Sequence, residues 1–199
     1  MGTHLSIVGK HTFSAEFEKE KIVSLAYKIA DSFIQKFNLV GTERGLDNFE
    51  IQLNMDFKNP CLHFYIDCIG NGIWLYVHEN AFIINSYYKF HHYVYDAKAG
   101  TSNDAGFFKD FRKDIFEMIQ IMNCNRVIYL CDEGSGRELA KYSNQIMEGI
   151  SFDEVEKQLI ERYGKPITDL GEINNNDEPL TFYNRLNEFI ADDFKDFKV

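Results

Sequence analysis

The sharpest chemical pattern in the chain is a seven-residue run from Cys131 to Arg137 (CDEGSGR) with the spacing C-x-x-G-x-x-R. The cysteine ends a compact run rich in β-branched residues, Arg126 to Cys131, which predicts a buried strand. Residues 136–148 follow as a predicted helix that Gly149 closes. A thiol and an arginine between a strand and a helix could serve an enzyme, or the glycines could simply allow a turn beside a buried cysteine.

This run resembles the phosphate-binding loop of cysteine-dependent tyrosine phosphatases. In that family a thiolate attacks phosphorus, backbone amides at a helix N-terminus hold the phosphate, and an arginine donates two hydrogen bonds to it. The resemblance implies that Cys131 is the nucleophile and Arg137 the phosphate ligand. It also implies that Asp96 or Asp104, in the polar loop upstream, is the general acid.

The same run departs from that family at four positions. Leu130 stands where the family has a histidine, and Glu138 stands where it has a hydroxyl residue. Asp132 and Glu133 add two negative charges where a phosphate dianion would bind. A plain strand-to-helix turn is therefore the competing interpretation.

The histidines in the middle of the chain are the other candidates for chemistry. His91 and His92 are adjacent, so in a strand their side chains lie on opposite faces and cannot both bind one ion. His63 and His78 could share a face, but zinc takes three or four protein ligands. We therefore predict no metal site and no cofactor.

Aromatic residues are concentrated between Cys61 and Tyr95, a stretch that contains the only tryptophan of the chain. Tyrosine and tryptophan supply many of the strongest contacts in protein interfaces. We therefore predict a partner-binding surface here, with acidic residues (Asp96 and Asp104 among them) meeting a basic site on the partner. The alternative is a covered sheet whose hydroxyl groups bond internally. The predicted partner-binding residues are Trp74, Tyr76, Tyr87, Tyr88, Tyr93, Tyr95, Asp132 and Glu133.

Four runs between residues 49 and 90 predict strands joined by short turns, which implies an antiparallel meander. The four are Phe49–Phe57, Cys61–Ile69, Ile73–His78 and Phe82–Phe90. The pair Asn71-Gly72 predicts a two-residue hairpin turn. Its register places His63 opposite Asn80 and on the same face as His78.

Helical spacing of apolar residues predicts the remaining elements. Helices are expected at 14–37, 107–122, 136–148, 152–163 and 179–194, with a further strand near the N-terminus at 5–13. The order predicts an α+β fold: a mainly antiparallel sheet, with a meander of about four strands and one or two more, helices packed on one face, and a helical C-terminal region. We expect a single domain over residues 1–199, in which 170–199 form a linker and a C-terminal helix.

Composition restricts the class of partner. The net charge is −10, which argues against nucleic acid and against anionic membranes, because both require basic residues. A basic protein partner is compatible with that charge. The N-terminal residues lack the apolar core of a signal peptide, and no apolar run reaches the length of a membrane span. We therefore expect a cytoplasmic location with reduced cysteines.

Three functions remain open from the sequence. The first is a non-enzymatic protein-binding domain; its small size and acidity make it similar in composition to bacterial immunity proteins that neutralise basic toxins. The second is a phosphatase-like enzyme that uses Cys131, Arg137 and Asp96. The third is a structural subunit that forms a homo-oligomer through its aromatic sheet.

Overall fold

The protein is built around one sheet of seven strands in which every neighbouring pair is antiparallel. The computed structural model describes residues 5–18, 20–37, 49–54, 60–66, 73–86, 107–131, 137–170 and 188–197. The strands are β1 (Leu5–Gly9), β2 (Phe49–Asn54), β3 (Cys61–Ile66), β4 (Ile73–His78), β5 (Phe82–Ser86), β6 (Val127–Cys131) and β7 (Ile190–Asp192). The helices are α1 (Ile22–Lys36), α2 (Phe107–Ile121), α3 (Arg137–Met147) and α4 (Phe152–Tyr163). The prediction of an α+β fold with a mainly antiparallel sheet is confirmed.

The strand order across the sheet is β2-β3-β4-β5-β1-β6-β7. The four strands β2 to β5 are consecutive neighbours, so the predicted meander is confirmed. β1 then lies between β5 and β6, where it pairs Ile7 with Ile84 on one side and with Tyr129 on the other. This central position explains why β1 is buried along most of its length.

Helices cover both faces of the sheet, so the expectation that they pack on one face is wrong. Residues of α1 and α2 share a buried core with Val127 and Tyr129 of β6. Residues of α3 and α4 share a second core with Ile128 and Leu130 of the same strand. Alternate residues of a strand point to opposite faces, so these two cores lie on opposite sides of the sheet. We call them the first face (α1 and α2) and the second face (α3 and α4).

The sandwiched position of β6 accounts for its sequence. All five of its residues are buried, and a strand covered on both faces reads as a continuous apolar run without alternation. Helix α4, which follows α3, begins as predicted. Ser151 is its N-cap, and the Ser151 Oγ accepts a hydrogen bond of 3.3 Å from the Glu154 backbone N–H.

The C-terminal residues form a strand, so the predicted last helix through Phe189, Ile190 and Phe194 is wrong for 188–197. Strand β7 pairs with β6 on one side, and its other side bonds to Ile167. Ile190 and Ala191 face opposite cores and are both buried, which a short strand between two covered faces permits. Residues 171–187, where that helix would begin, lie outside the described residues.

A buried arginine fixes this C-terminal strand to α2. Arg112 is 2% exposed and donates two hydrogen bonds to the carboxylate of Asp192, at 2.7 and 2.8 Å. It donates two more to Asp196, at 2.7 and 2.8 Å. The Tyr129 hydroxyl donates to Asp192 at 3.1 Å, and the guanidinium lies 5.0 Å from the Phe197 ring centre. Burial alone would lower the pKa of Arg112, but these carboxylates raise it.

Replacing Arg112 by methionine should destabilise the fold strongly. The Asp192 carboxylate would remain buried without its cation, a change that typically costs about 3–5 kcal/mol. Arg126→Met is the matched control, because Arg126 is partly exposed and its ion pair with Glu156 is of a kind worth about 1 kcal/mol or less. Urea unfolding followed by circular dichroism measures both variants. Equal losses for the two variants would contradict this role of Arg112.

Candidate functional site

Four aromatic rings form a continuous row on the second face of β3 and β4. The register pairs Tyr65 with Trp74 and His63 with Tyr76. The ring centres lie 4.6 Å apart for Tyr65 and Trp74, 4.7 Å for Trp74 and His63, and 4.4 Å for His63 and Tyr76. We call these four residues the aromatic row. All four side chains are partly exposed.

The opposite side of the same two strands anchors the row. Leu62, Phe64, Leu75 and Val77 alternate with the aromatic residues and are at most 1% exposed in the first-face core. A shift of the register by one residue would exchange the two sets, which would bury polar rings and expose aliphatic side chains. Burial of the first face therefore decides where the rings lie.

The row begins at Tyr76, beside the helices, and runs along β3 and β4 to Trp74 and Tyr65. Tyr76 packs against the second-face core, which also contains buried residues of α3 and α4. In the other direction lies β2, where Glu50 pairs with Tyr65 and Gln52 with His63. These two polar residues belong to the same face as the row. The row thus lies between a helical layer and a polar edge strand.

The structure includes part of the predicted partner-binding set. Trp74 and Tyr76 lie in the row as neighbours on one face of β4. His63 and Tyr65 join them, and the sequence prediction did not include either in this surface. The alternation of β3 is the signal that could have found them, since both share a face with Cys61. The other predicted partner residues, Tyr87, Tyr88, Tyr93, Tyr95, Asp132 and Glu133, lie outside the described residues, as do Asp96 and Asp104.

The predicted hairpin register is wrong by four residues. His63 lies opposite Tyr76, where the two-residue turn would have put Asn80. The last described pair of the ladder is Ile66 and Ile73, and the predicted turn at Asn71-Gly72 lies outside the described residues. Cys61 consequently pairs with His78, on the same face as His63.

A buried polar group of Cys61, His78 and His11 adjoins the row. The Cys61 Sγ lies 3.5 Å from the His78 Nε2. The Phe13 N–H donates to His11 Nδ1 at 3.0 Å, which leaves the His11 Nε2–H to donate to the His78 carbonyl oxygen. Burial, with a smaller contribution from His11, lowers the pKa of His78 to about 4. Burial raises the pKa of Cys61 to about 12, so this pair is a neutral thiol and a neutral imidazole at pH 7.

Cys131 lies in the apolar core of the first face. It is 2% exposed, lies opposite Leu5 of the neighbouring strand β1 and packs in the same cluster as Tyr129. Arg137 is the first residue of α3, a helix whose buried residues belong to the second face. The thiol and this helix are therefore on opposite sides of the sheet. Such a placement does not favour a phosphate loop, in which the thiol and the helix N-terminus face one ligand. Residues 132–136 lie outside the described residues.

A cavity beside β7 lies toward the opposite end of the sheet from the row. It has a volume of about 330 Å³ and is lined by Arg112, Asp192, Asp196 and neighbouring residues of the C-terminal segment. Its buried charges are already paired with one another. Within the described residues, no group of three or more histidine, cysteine or acidic side chains is placed to hold a metal ion.

In comparisons with known proteins, no protein-family model, no curated protein and no solved structure matches the chain. A search of the helices in the described ranges finds none with the length and apolar character needed to cross a membrane. Among the residues that the structure describes, the aromatic row is the candidate site with the most direct geometric basis.

The buried His78 should make the fold sensitive to acid. Its pKa of about 4 is below the ordinary value of 6.5, so between these pH values the unfolded chain binds a proton that the folded chain does not. Stability should therefore be complete above pH 6.5 and fall by up to about 3 kcal/mol as the pH drops toward 4. His78→Gln should flatten this dependence in urea unfolding curves measured from pH 7 to pH 4. An unchanged slope in the variant would show that other groups cause the acid sensitivity.

Proposed function

We propose that this chain is a non-enzymatic protein-binding domain that docks a partner through the aromatic row. The observation that carries the proposal is the continuous contact of four partly exposed rings, Tyr65, Trp74, His63 and Tyr76, on one face of two strands. Large rings bury much apolar area for little loss of side-chain freedom, so they are frequent anchors in interfaces.

The rigidity of the platform supports this function. The backbones of β3 and β4 are held by a ladder of paired residues and by the first-face core beneath them. Rings mounted on such strands lose less conformational entropy on binding than rings on a loop would. The row is therefore suited to binding without rearrangement.

The buried state of the described cysteines also favours binding over catalysis. Cys61 has a raised pKa and Cys131 is surrounded by apolar residues, whereas a nucleophilic cysteine needs a thiolate and access to substrate. His78, with its lowered pKa, stays uncharged beside Cys61 at neutral pH. A thiolate–imidazolium pair of the kind used in catalysis is thus disfavoured at this position.

The charge of the chain indicates the class of partner. A net charge of −10 attracts a basic protein and speeds its encounter. A basic toxin neutralised by an immunity-type protein is the specific form of this proposal. Its support is compositional: an acidic chain with an aromatic binding surface.

The test is affinity capture with matched variants of the chain. Wild-type protein immobilised on a resin should retain a partner in stoichiometric amount from its native host. The double variant Tyr65→Ala and Trp74→Ala should weaken binding by at least about 2 kcal/mol, roughly 30-fold, because it removes the outer anchors. Tyr27→Ala is the control, since Tyr27 is a 62% exposed tyrosine on α1, away from the row.

Circular dichroism and thermal melting establish that both variants remain folded. Retention of the same partner by the double variant at wild-type affinity would contradict the proposal. A wild-type dimer that becomes monomeric in the double variant, with no other partner bound, would also contradict it. That outcome would assign the row to contacts between two copies of the chain.

A further inference from the structure

We infer that the outer part of the aromatic row, Trp74 with Tyr65, receives an arginine side chain of the partner. This inference rests on the proposed function and specifies the chemical group that the row recognises. It follows from the ring geometry, from the residue types around the rings, and from how cations are placed elsewhere in the same protein.

The two rings offer a suitable surface for a planar cation. Their centres are 4.6 Å apart and their planes are inclined by 50°, so the two ring faces are not stacked on each other. Tryptophan is the best aromatic acceptor for a cation lying within about 6 Å of the ring centre. A guanidinium group stacked on Trp74 would also be within reach of Tyr65.

The surrounding residue types favour a positive ligand. On the second face of β2, β3 and β4, the register places one carboxylate residue and no lysine or arginine. The carboxylate residue is Glu50, which pairs directly with Tyr65. His78 is on this face too, and its lowered pKa keeps it uncharged at neutral pH. By residue type, the described positions on this face of the three strands therefore include one acid and several acceptors but no basic residue.

Other aromatic rings of this protein carry an internal cation. Arg112 lies 5.0 Å from the Phe197 ring centre, and Lys28 lies 5.3 Å from that of Phe13. Within the described ranges, no such cation lies over Trp74 or Tyr65. Within the part of the chain that the structure describes, a cation at Trp74 and Tyr65 would therefore come from a partner.

The geometry favours arginine over lysine. A guanidinium is planar, so it can stack on a ring and still donate hydrogen bonds from its edge. By register, Glu50 and Gln52 are the residues opposite Tyr65 and His63 on the neighbouring strand, and both residue types carry acceptor oxygens. A lysine ammonium attracts the same ring but requires stronger hydration and cannot stack.

Three fluorescein-labelled peptides test the inference. The first alternates arginine with serine, the second replaces each arginine by the neutral isostere citrulline, and the third replaces it by lysine. Binding is followed by anisotropy with the full chain at about 150 mM salt, where long-range attraction is screened. We expect the arginine peptide to bind about tenfold more tightly than the citrulline peptide and several-fold more tightly than the lysine peptide.

Variants of the chain separate the row from general acidity. Trp74→Leu should reduce binding of the arginine peptide to the level of the citrulline peptide, and Glu50→Gln should weaken it by a smaller factor. Glu154→Gln removes an exposed carboxylate at the start of α4 and should have no effect. Three results would each overturn the inference. The arginine and citrulline peptides could bind equally, neither could bind, or Trp74→Leu could bind the arginine peptide as tightly as the wild type does.

Failure of this inference is distinguishable from failure of the proposed function. The captured partner can be treated with a dicarbonyl reagent that modifies arginine side chains. If the treated partner still binds wild-type protein but not the double variant, then the row is a docking surface and arginine recognition is wrong. If the untreated partner binds the double variant as tightly as it binds the wild-type protein, the proposed function itself fails.

Discussion

Alternation along β3 and β4 is the constraint on which the candidate surface depends. The first face of these strands is buried under helices, so the aliphatic residues there can pair in only one register. The intervening residues, among them Trp74 and Tyr65, must then lie on the second face. Because α3 and α4 share their buried core with β1, β5 and β6, the rings of the outer strands remain partly exposed. The same packing that stabilises the sheet thus creates its aromatic surface.

A buried ion pair holds the C-terminal strand at the opposite end of the sheet. Arg112 and Asp192 lie 80 residues apart and are each 2% exposed, and their paired hydrogen bonds hold strand β7 against α2. A buried ion pair contributes less to net stability than apolar packing of the same volume would, but removing one partner is costly. The pair is therefore better understood as a determinant of where the C-terminal segment docks. Its position, remote from the aromatic row, separates the stabilising charges from the binding surface.

Much of the fold was accessible from local sequence patterns. Strand β4 was predicted at its observed bounds, and the helix caps at Ser151 and Gly164 follow from local backbone chemistry. Features that depend on contacts between distant parts of the chain could not be predicted from the sequence. The sequence around Phe189 and Ile190 satisfies a helical pattern as well as a strand, and only pairing with β6 and the distant Arg112 decides between them. The position of helices on both faces likewise depends on tertiary packing.

The candidate site was predicted in part for the same reason. Trp74 and Tyr76 were recognised by residue type, whereas the pairing of Tyr65 with Trp74 required the true register of β3 and β4. The predicted turn put His63 opposite Asn80, whereas the observed ladder puts it opposite Tyr76. Cys131 illustrates the converse: its local motif suggests chemistry, but its side chain lies in an apolar core that only the fold reveals.

Acrylamide quenching of Trp74 fluorescence tests the central claim most directly. Trp74 is the only tryptophan, so the signal reports on the aromatic row alone. We predict that the free chain is quenched readily, since the ring is partly exposed, and that quenching falls several-fold in the complex with the captured partner. Equal quenching with and without the bound partner would contradict the assignment of the row as the docking surface.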